Sequence, residues 1–227
     1  MRKFIKFILT ILILFGILFS IFPDFFKNRL GFILHNMKKT KVEEKYSAVD
    51  SNSNNIPDCI DLVNTARNEV NNKTAYKDGY YEGGYPKDGE GVCTDVIWRA
   101  FLGIDVNIKN LVDADIKINS DIYSRVEGKP DPNIDFRRVP NLDIFFKKNA
   151  MELNAQLIPG DAENLANWQP GDIVVILKPY QHIAIVSDKR TRDGVPYIIH
   201  NTPPNAKESS SLEYLKDIIA GHYRWKY

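Results

Sequence analysis

The chain has 227 residues, enough for one globular domain and a short appendage, and its 44% hydrophobic and 26% charged residues are ordinary globular usage. Its formal net charge of +1, from 30 basic and 29 acidic residues, argues against nucleic acid as a partner, because such binders carry a basic excess or stripe. Two cysteines exclude a disulfide framework, and four histidines without a CxxC or HExxH run give no sign of a metal-rich protein.

Met1, Arg2, Lys3 and Lys6 precede or interrupt an apolar run from Phe4 to Phe22 that stops at Pro23. As a helix this run is about 28 Å long, close to the ~30 Å hydrocarbon core of a bilayer, with Lys6 snorkelling to the interface. The expectation is an uncleaved transmembrane anchor over residues 1–22. A cleaved signal peptide is the rival reading, but it usually has a shorter apolar core, and the residues after Gly16 and Ser20 offer no convincing cleavage site. Lys27, Arg29, Lys38, Lys39 and Lys41 follow the run, so charge bias alone does not orient it.

Residues 23–55 are expected to be a juxtamembrane segment and a linker. Phe25, Phe26, Leu30, Phe32, Ile33 and Leu34 lie among Lys27 and Arg29, as in a helix at the membrane surface or a continuation of the anchor. Residues 38–55, ending in the run Asp50-Ser-Asn-Ser-Asn-Asn55, have too little apolar surface to fold.

The folded domain is expected over 56–227. Pro57 and Asp58 start a helix with Ile60, Leu62, Val63, Ala66 and Val70 on its apolar positions. Residues 74–91, rich in Tyr and Gly, read as irregular. A second helix runs from Cys93 to Leu102, with Val96, Ile97, Ala100 and Phe101 on one face and Gly103 as its stop. Short helices are expected over 111–119 and 142–149, and strands over 172–178, 182–187 and 197–201. Helices first and strands second define an α+β class, with N-terminal helices packed on a small antiparallel sheet.

Within this order, Gly-Val-Cys-Thr-Asp at 91–95 places Cys93 at a helix start, after a Gly-rich loop. A thiolate there faces unpaired backbone N–H groups and the positive end of the helix dipole, which lower its pKa and can also hold an oxyanion. Gln-Pro-Gly-Asp at 169–172 reads as a turn into a buried strand, and His182 opens the next one. If that strand pairs with 196–201, His182 lies across from His200 or Asn201, completing a Cys–His–polar triad. Neighbouring residues on a strand point to opposite faces, so only one of His200 and Asn201 faces His182.

The segments "YYEGGYPKDGEGVCTDVIWRAF", "WQPGDIVVILK", "QHIAIVSD" and "IIHN" resemble NlpC-type papain-like cysteine peptidases. "GVCTDV", "DPNIDFRRVPNL", "HIAIVSD" and the terminal "GHYR" are closer still to a bacterial subgroup catalogued as a domain of unknown function, number 1287. The resemblance covers residues 56–227 and implies a papain-like fold with Cys93 as nucleophile, His182 as base and His200 as the favoured third residue, Asn201 being the alternative. It also implies amide-bond hydrolysis in peptidoglycan stem peptides or cross-links, without a cofactor, at the wall-facing membrane surface.

Departures from that pattern are Thr94 and Asp95 after the cysteine, where Ser-Gly is usual, and a longer stretch at 104–150. Tyr80 and Tyr81 both fit the tyrosine of the Gly-Gly loop that supports the nucleophile's pocket. Asp95, Arg137 and Arg138 are substrate-pocket candidates, the arginines as bidentate carboxylate clamps; their other reading is helix-start stabilisation and structural ion pairing. Cys59 and His222 read as structural. Three further functional readings use the same residues: a thiol acyltransferase or deamidase, a non-catalytic wall-binding module, and a metal site made from Cys93, His182 and His200.

Overall fold

The computed structural model describes residues 39–226. The anchor expected over 1–22 and the surface segment over 23–37 lie outside the described residues. Among the described residues no helix is long and apolar enough to cross a membrane.

Residues 40–55, part of the stretch expected as a free linker, instead run along the domain. The Thr40 N–H donates to the Arg192 carbonyl at 3.0 Å, the Lys45 N–H to Gln169 Oε1 at 2.8 Å, and Gln169 Nε2 to the Glu43 carbonyl at 3.0 Å. Further on, Asn52 Nδ2 reaches the Gly103 carbonyl and Asn54 Nδ2 reaches Asp61 Oδ2, each at 2.8 Å. Polar side chains and backbone groups hold the segment, with Val42 adding one apolar contact to the core. A reading based on apolar surface therefore underrates it.

Helix α1 (Asp58–Asn71) buries Leu62, Val63 and Ala66, and the acidic Asp58 and Asp61 occupy its first turn, where the dipole favours negative charge. Helix α2 (Cys93–Leu102) buries Val96, Ile97, Ala100 and Phe101 as the periodicity requires. Gly103 caps it with a right-handed φ of −65°, not the left-handed conformation typical of a C-terminal glycine. The glycine is needed for a different reason: a Cβ there would lie 2.1 Å from Thr65 Oγ1, because α1 packs so close. Helices α3 (Ile108–Asn119) and α4 (Val139–Asn149) each start one turn earlier than expected. The Asn107 side chain caps the first by accepting from the Asn110 N–H, and a proline in the first turn favours the second. Two single-turn helices, α5 (Ala162–Leu165) and α6 (Leu212–Leu215), complete the six α-helices among the described residues.

The sheet contains β1 (Ala75–Tyr76), β2 (Glu90–Gly91), β3 (Met151–Glu152), β4 (Ile173–Ile176), β5 (His182–Arg190), β6 (Pro196–Thr202), β7 (Asn205–Ser209) and β8 (Ile219–Arg224). Their spatial order is β2-β1-β7-β6-β5-β4-β8-β3, antiparallel throughout except for β1 and β2. Side chains alternate in direction along a strand. Ile173, Val175, Ile183, Ile185 and Ile199 thus join α1, α2, α3 and α4 in one core. Val174, Ala184, Val186 and Ile198 face a second core built on Leu165, Trp168 and Leu212. Burial on both faces explains why the central strands read as continuous apolar runs.

The close crossing of α1 and α2 yields the first prediction. Gly103→Ala should cost roughly 1–3 kcal/mol, the usual price of overpacking, as a lower urea midpoint with an unchanged slope. An unchanged midpoint would show that the two helices can separate freely.

Candidate active site

The loop ahead of α2 is shaped by a buried carboxylate. Asp95 Oδ2 accepts the Val92 N–H at 2.7 Å, which satisfies an otherwise orphaned donor before the helix begins. Gly91 makes room for this fold-back, since a Cβ at that position would stand 2.9 Å from Asp95 Oδ2. The same carboxylate takes Arg137 Nε at 2.7 Å and Nη2 at 2.9 Å in a bidentate pair with no appreciable side-chain exposure on either partner. Arg138 pairs with Asp135 and donates to the Arg125 carbonyl. The geometry of Asp95, Arg137 and Arg138 is therefore that of structural ion pairing, and their charges are committed within the protein.

Cys93 is the first residue of α2 and is 8% exposed. Its sulfur lies against the backbone N–H groups of Ile183, Thr94 and Cys93 itself. The Ile183 contact follows from strand geometry. The Val186 N–H donates to the Asp172 carbonyl at 2.7 Å and the Gly171 N–H to the Val186 carbonyl at 2.9 Å, so Val186 faces the β4 side. Alternate residues Ile185 and Ile183 then face β6. The β5–β6 ladder includes Val186↔Ile198 and Ile185↔Ile199 but forms no pair beyond these toward His182 among the described residues. Ile183 therefore presents a free N–H at the point where the two strands diverge, and the thiol occupies it.

His182 and His200, each 6% exposed, close the other side of this divergence. His182 Nε2 lies 2.8 Å from His200 Nδ1, with the rings nearly perpendicular at 79°. These facing nitrogens form a hydrogen bond and do not converge on a third point as two metal ligands would. Among the described residues no group of three or more His, Cys, Asp or Glu could hold a metal ion. Asn201 points the opposite way: its Nδ2 donates to the Gly91 carbonyl at 2.9 Å, tying β6 to the loop before Cys93. No hydrogen bond joins the Cys93 thiol to either imidazole among the described residues.

Charge states follow from burial. Desolvation pushes the Cys93 thiol up to about 11; the Ile183 amide opposes this and the Asp95 carboxylate adds to it. The lowering expected from the helix start is thus outweighed, and the resting group is a thiol. Burial, reinforced by the Lys207 cation, holds His182 down at about 4. His200 falls to about 3 through burial, then the neighbouring His182, then Lys207. Lys207 is the cross-strand partner of His200. At neutral pH Cys93 is a thiol and both imidazoles are neutral.

The tyrosines separate. Tyr80 is 63% exposed, and its hydroxyl meets Asp131 and Asn133. Tyr81 lies under the Arg137 guanidinium, 4.9 Å from ring centroid to Cζ, and donates to Glu90 at 3.1 Å. Of the two, Tyr81 is the one that supports the Asp95–Arg137 pair behind Cys93. Residues the motifs did not single out are Tyr180, whose ring centroid is 6.4 Å from that of His182, and Tyr76, whose phenol is raised by burial and by Cys93. Lys207 and Ser209 also border the site, from a strand whose polar sequence gave no signal. Cys59 is buried and unreactive in setting, its thiol likewise pushed up to about 11 by burial.

The two depressed imidazoles make stability depend on pH. The fold favours their neutral forms, whereas the unfolded chain takes up protons near 6.5. Their contribution is complete above pH 6.5 and is lost as the pH falls from there through about 4. Urea unfolding at pH 8, 6 and 5 should therefore give a falling midpoint, and the decline should flatten in a His182→Gln, His200→Gln double variant. A decline of equal steepness in the double variant would assign it to other groups.

An Escherichia coli (strain K12) protein named "Uncharacterized protein YijF" is 32% identical over 203 residues, covering 86% of this chain and 93% of the relative. The family model described as "Domain of unknown function (DUF1287)" matches residues 63–225, from the middle of α1 through β8, and so spans Cys93, His182 and His200. The chain belongs to the DUF1287 family.

Proposed function

We propose that this protein is a papain-like cysteine hydrolase that cleaves amide bonds, with peptidoglycan stem peptides or cross-links as substrate class. The observation that carries the reading is the Cys93 sulfur on the amide of Ile183, the residue next to His182, whose imidazole is hydrogen-bonded to His200. A helix that opens on its cysteine and packs on an antiparallel sheet, with histidines on two successive strands, supports the fold assignment.

In this reading a bound carbonyl completes the site. His182 Nδ1 takes the thiol proton as the sulfur electron pair bonds to the carbonyl carbon. The displaced π pair becomes an oxyanion facing the first backbone N–H groups of α2. Collapse expels the amine, which takes the proton back from His182. Water, deprotonated by His182, then attacks the thioester carbonyl; collapse expels the Cys93 thiolate, which takes that proton back from His182 and leaves the product acid. His200 orients the base through Nε2, which leaves Nδ1 as the nitrogen that takes the proton. The apolar run over 1–22 is proposed as a retained anchor that holds the domain at the wall-facing membrane surface. Recovery of the native N-terminal peptide from the membrane fraction supports retention, and recovery only of a shortened soluble chain rejects it.

The test of activity is incubation of the purified protein with muropeptides and mass spectrometry of the products. Hydrolysis should vanish in Cys93→Ala. His200→Ala should lower kcat by about a hundredfold or more, on the scale of a general-base contribution, and Asn201→Ala should lower it less, because Asn201 holds the loop and not the base. With His182 held at about 4, the acid limb of kcat/KM should fall near that pH and not near 6.5. Transfer to an added amine in place of water would identify an acyltransferase, and ammonia release a deamidase. Tight binding to purified wall without any product would identify a binding module.

A further inference from the structure

The histidine pair does not end at His200. His200 Nε2 lies 3.0 Å from Ser209 Oγ, and Ser209 Oγ lies 2.7 Å from Ser211 Oγ. Hydrogen bonds therefore run unbroken from His182 through His200 and Ser209 to Ser211, which precedes α6 at a half-buried position. Ser209 is held in place by its own ladder, pairing with Ile198 across β6 and β7.

The direction of this chain decides what His182 can do. A neutral imidazole carries one N–H, so each ring donates at one nitrogen and accepts at the other. In the outward sense, His182 Nε2–H donates to His200 Nδ1, His200 Nε2–H donates to Ser209 Oγ, and the Ser209 hydroxyl passes its hydrogen to Ser211. His182 Nδ1 is then a bare lone pair. In the inward sense every donor reverses, and His182 Nδ1 carries the hydrogen and cannot act as a base. At the outer end two hydroxyl oxygens accept readily. At the inner end no protein oxygen or nitrogen accepts from Nδ1 among the described hydrogen bonds, so a hydrogen placed there gains no protein partner. Lys207 is the charged group that acts on both rings, and it favours their neutral forms without choosing a direction.

We propose that Ser209 is a positioning residue: by accepting from His200 Nε2 it holds the histidine pair in the outward sense, the tautomer in which His182 Nδ1 can take a thiol proton. This rests on Cys93 and His182 acting as nucleophile and base, but its first readout needs no substrate. The full-length protein, labelled with 15N-histidine, is read at pH 7 in a long-range proton–nitrogen spectrum. His182 should be protonated at Nε2 and bare at Nδ1, and His200 protonated at Nε2. Ser209→Ala should shift hydrogen onto His200 Nδ1 and His182 Nδ1, while Ser209→Thr, which keeps the hydroxyl, should restore the wild-type pattern. Where turnover is found, Ser209→Ala should lower kcat roughly tenfold at unchanged KM, below the range for losing a general base outright. An unchanged tautomer pattern in Ser209→Ala overturns the proposal. So does a wild-type spectrum with hydrogen on His182 Nδ1, a result that needs no variant to fold. Absence of turnover with the outward tautomer intact would reject the hydrolase reading and leave the Ser209 assignment standing.

Discussion

The candidate site depends on one buried carboxylate. Asp95 has no exposed surface, and it accepts from the Val92 N–H, from Trp98 Nε1 and from two nitrogens of Arg137. Through that single group the loop before α2, the first turn of α2 and the segment around 135–137 are fixed to one another. Arg137 extends the junction by donating to the Gly79 carbonyl, and Thr94 Oγ1 returns a bond to the Arg137 carbonyl at 3.2 Å. Removing one partner of such a buried pair strands the other charge, at a cost of about 3–5 kcal/mol. The position of the Cys93 thiol is thus inherited from electrostatics one turn behind it.

This arrangement gives a purpose to the long stretch between α2 and the central strands. Residues 104–150 form α3 and α4, which complete the larger core with Ile108, Val112, Ile116, Leu142, Phe145 and Phe146. They also deliver Arg137, without which Asp95 would be a buried, uncompensated charge. A comparable junction joins the Pro-Gly-Asp turn to the C-terminus. Asp172 accepts from His222 Nε2 at 2.9 Å and Arg224 Nε at 2.7 Å, and the His222 ring stacks on Trp168 at 3.8 Å. Two motifs far apart in the chain are therefore one structural unit.

What could be seen in the sequence was whatever leaves a periodic or local trace. The apolar face of α2, the buried faces of α1 and the runs that became β4, β5 and β6 follow from hydropathy spacing. Cys93 at a helix start and His182 at a strand start follow from local punctuation. Alternation also made His200 and Asn201 exclusive choices, and the structure turns the first to His182 and the second to Gly91. The polar strand β7, with its Lys207 and Ser209, left no such trace because a backbone ladder defines it. The docked segment 40–55 escaped for the same reason, its partners being mostly polar groups of the domain. Nor could spacing choose between Tyr80 and Tyr81, or pair Asp95 with an arginine 42 residues away. Those outcomes belong to tertiary packing, which local pattern does not encode. The thiol's surroundings divide in the same way: the helix start is visible in sequence, and the depth of burial is not.

The divergence of β5 and β6 has a consequence for how the protein tolerates loss of its sulfur. Ile183 gives up a ladder partner, and the Cys93 sulfur takes the amide in its place. The sulfur is therefore a substitute for a missing strand neighbour. An alanine at position 93 strands a buried amide, worth on the order of 1 kcal/mol or more, whereas serine offers it an oxygen. The Cys93→Ala protein therefore differs from the native one in the cohesion of its sheet as well as in the loss of a thiol.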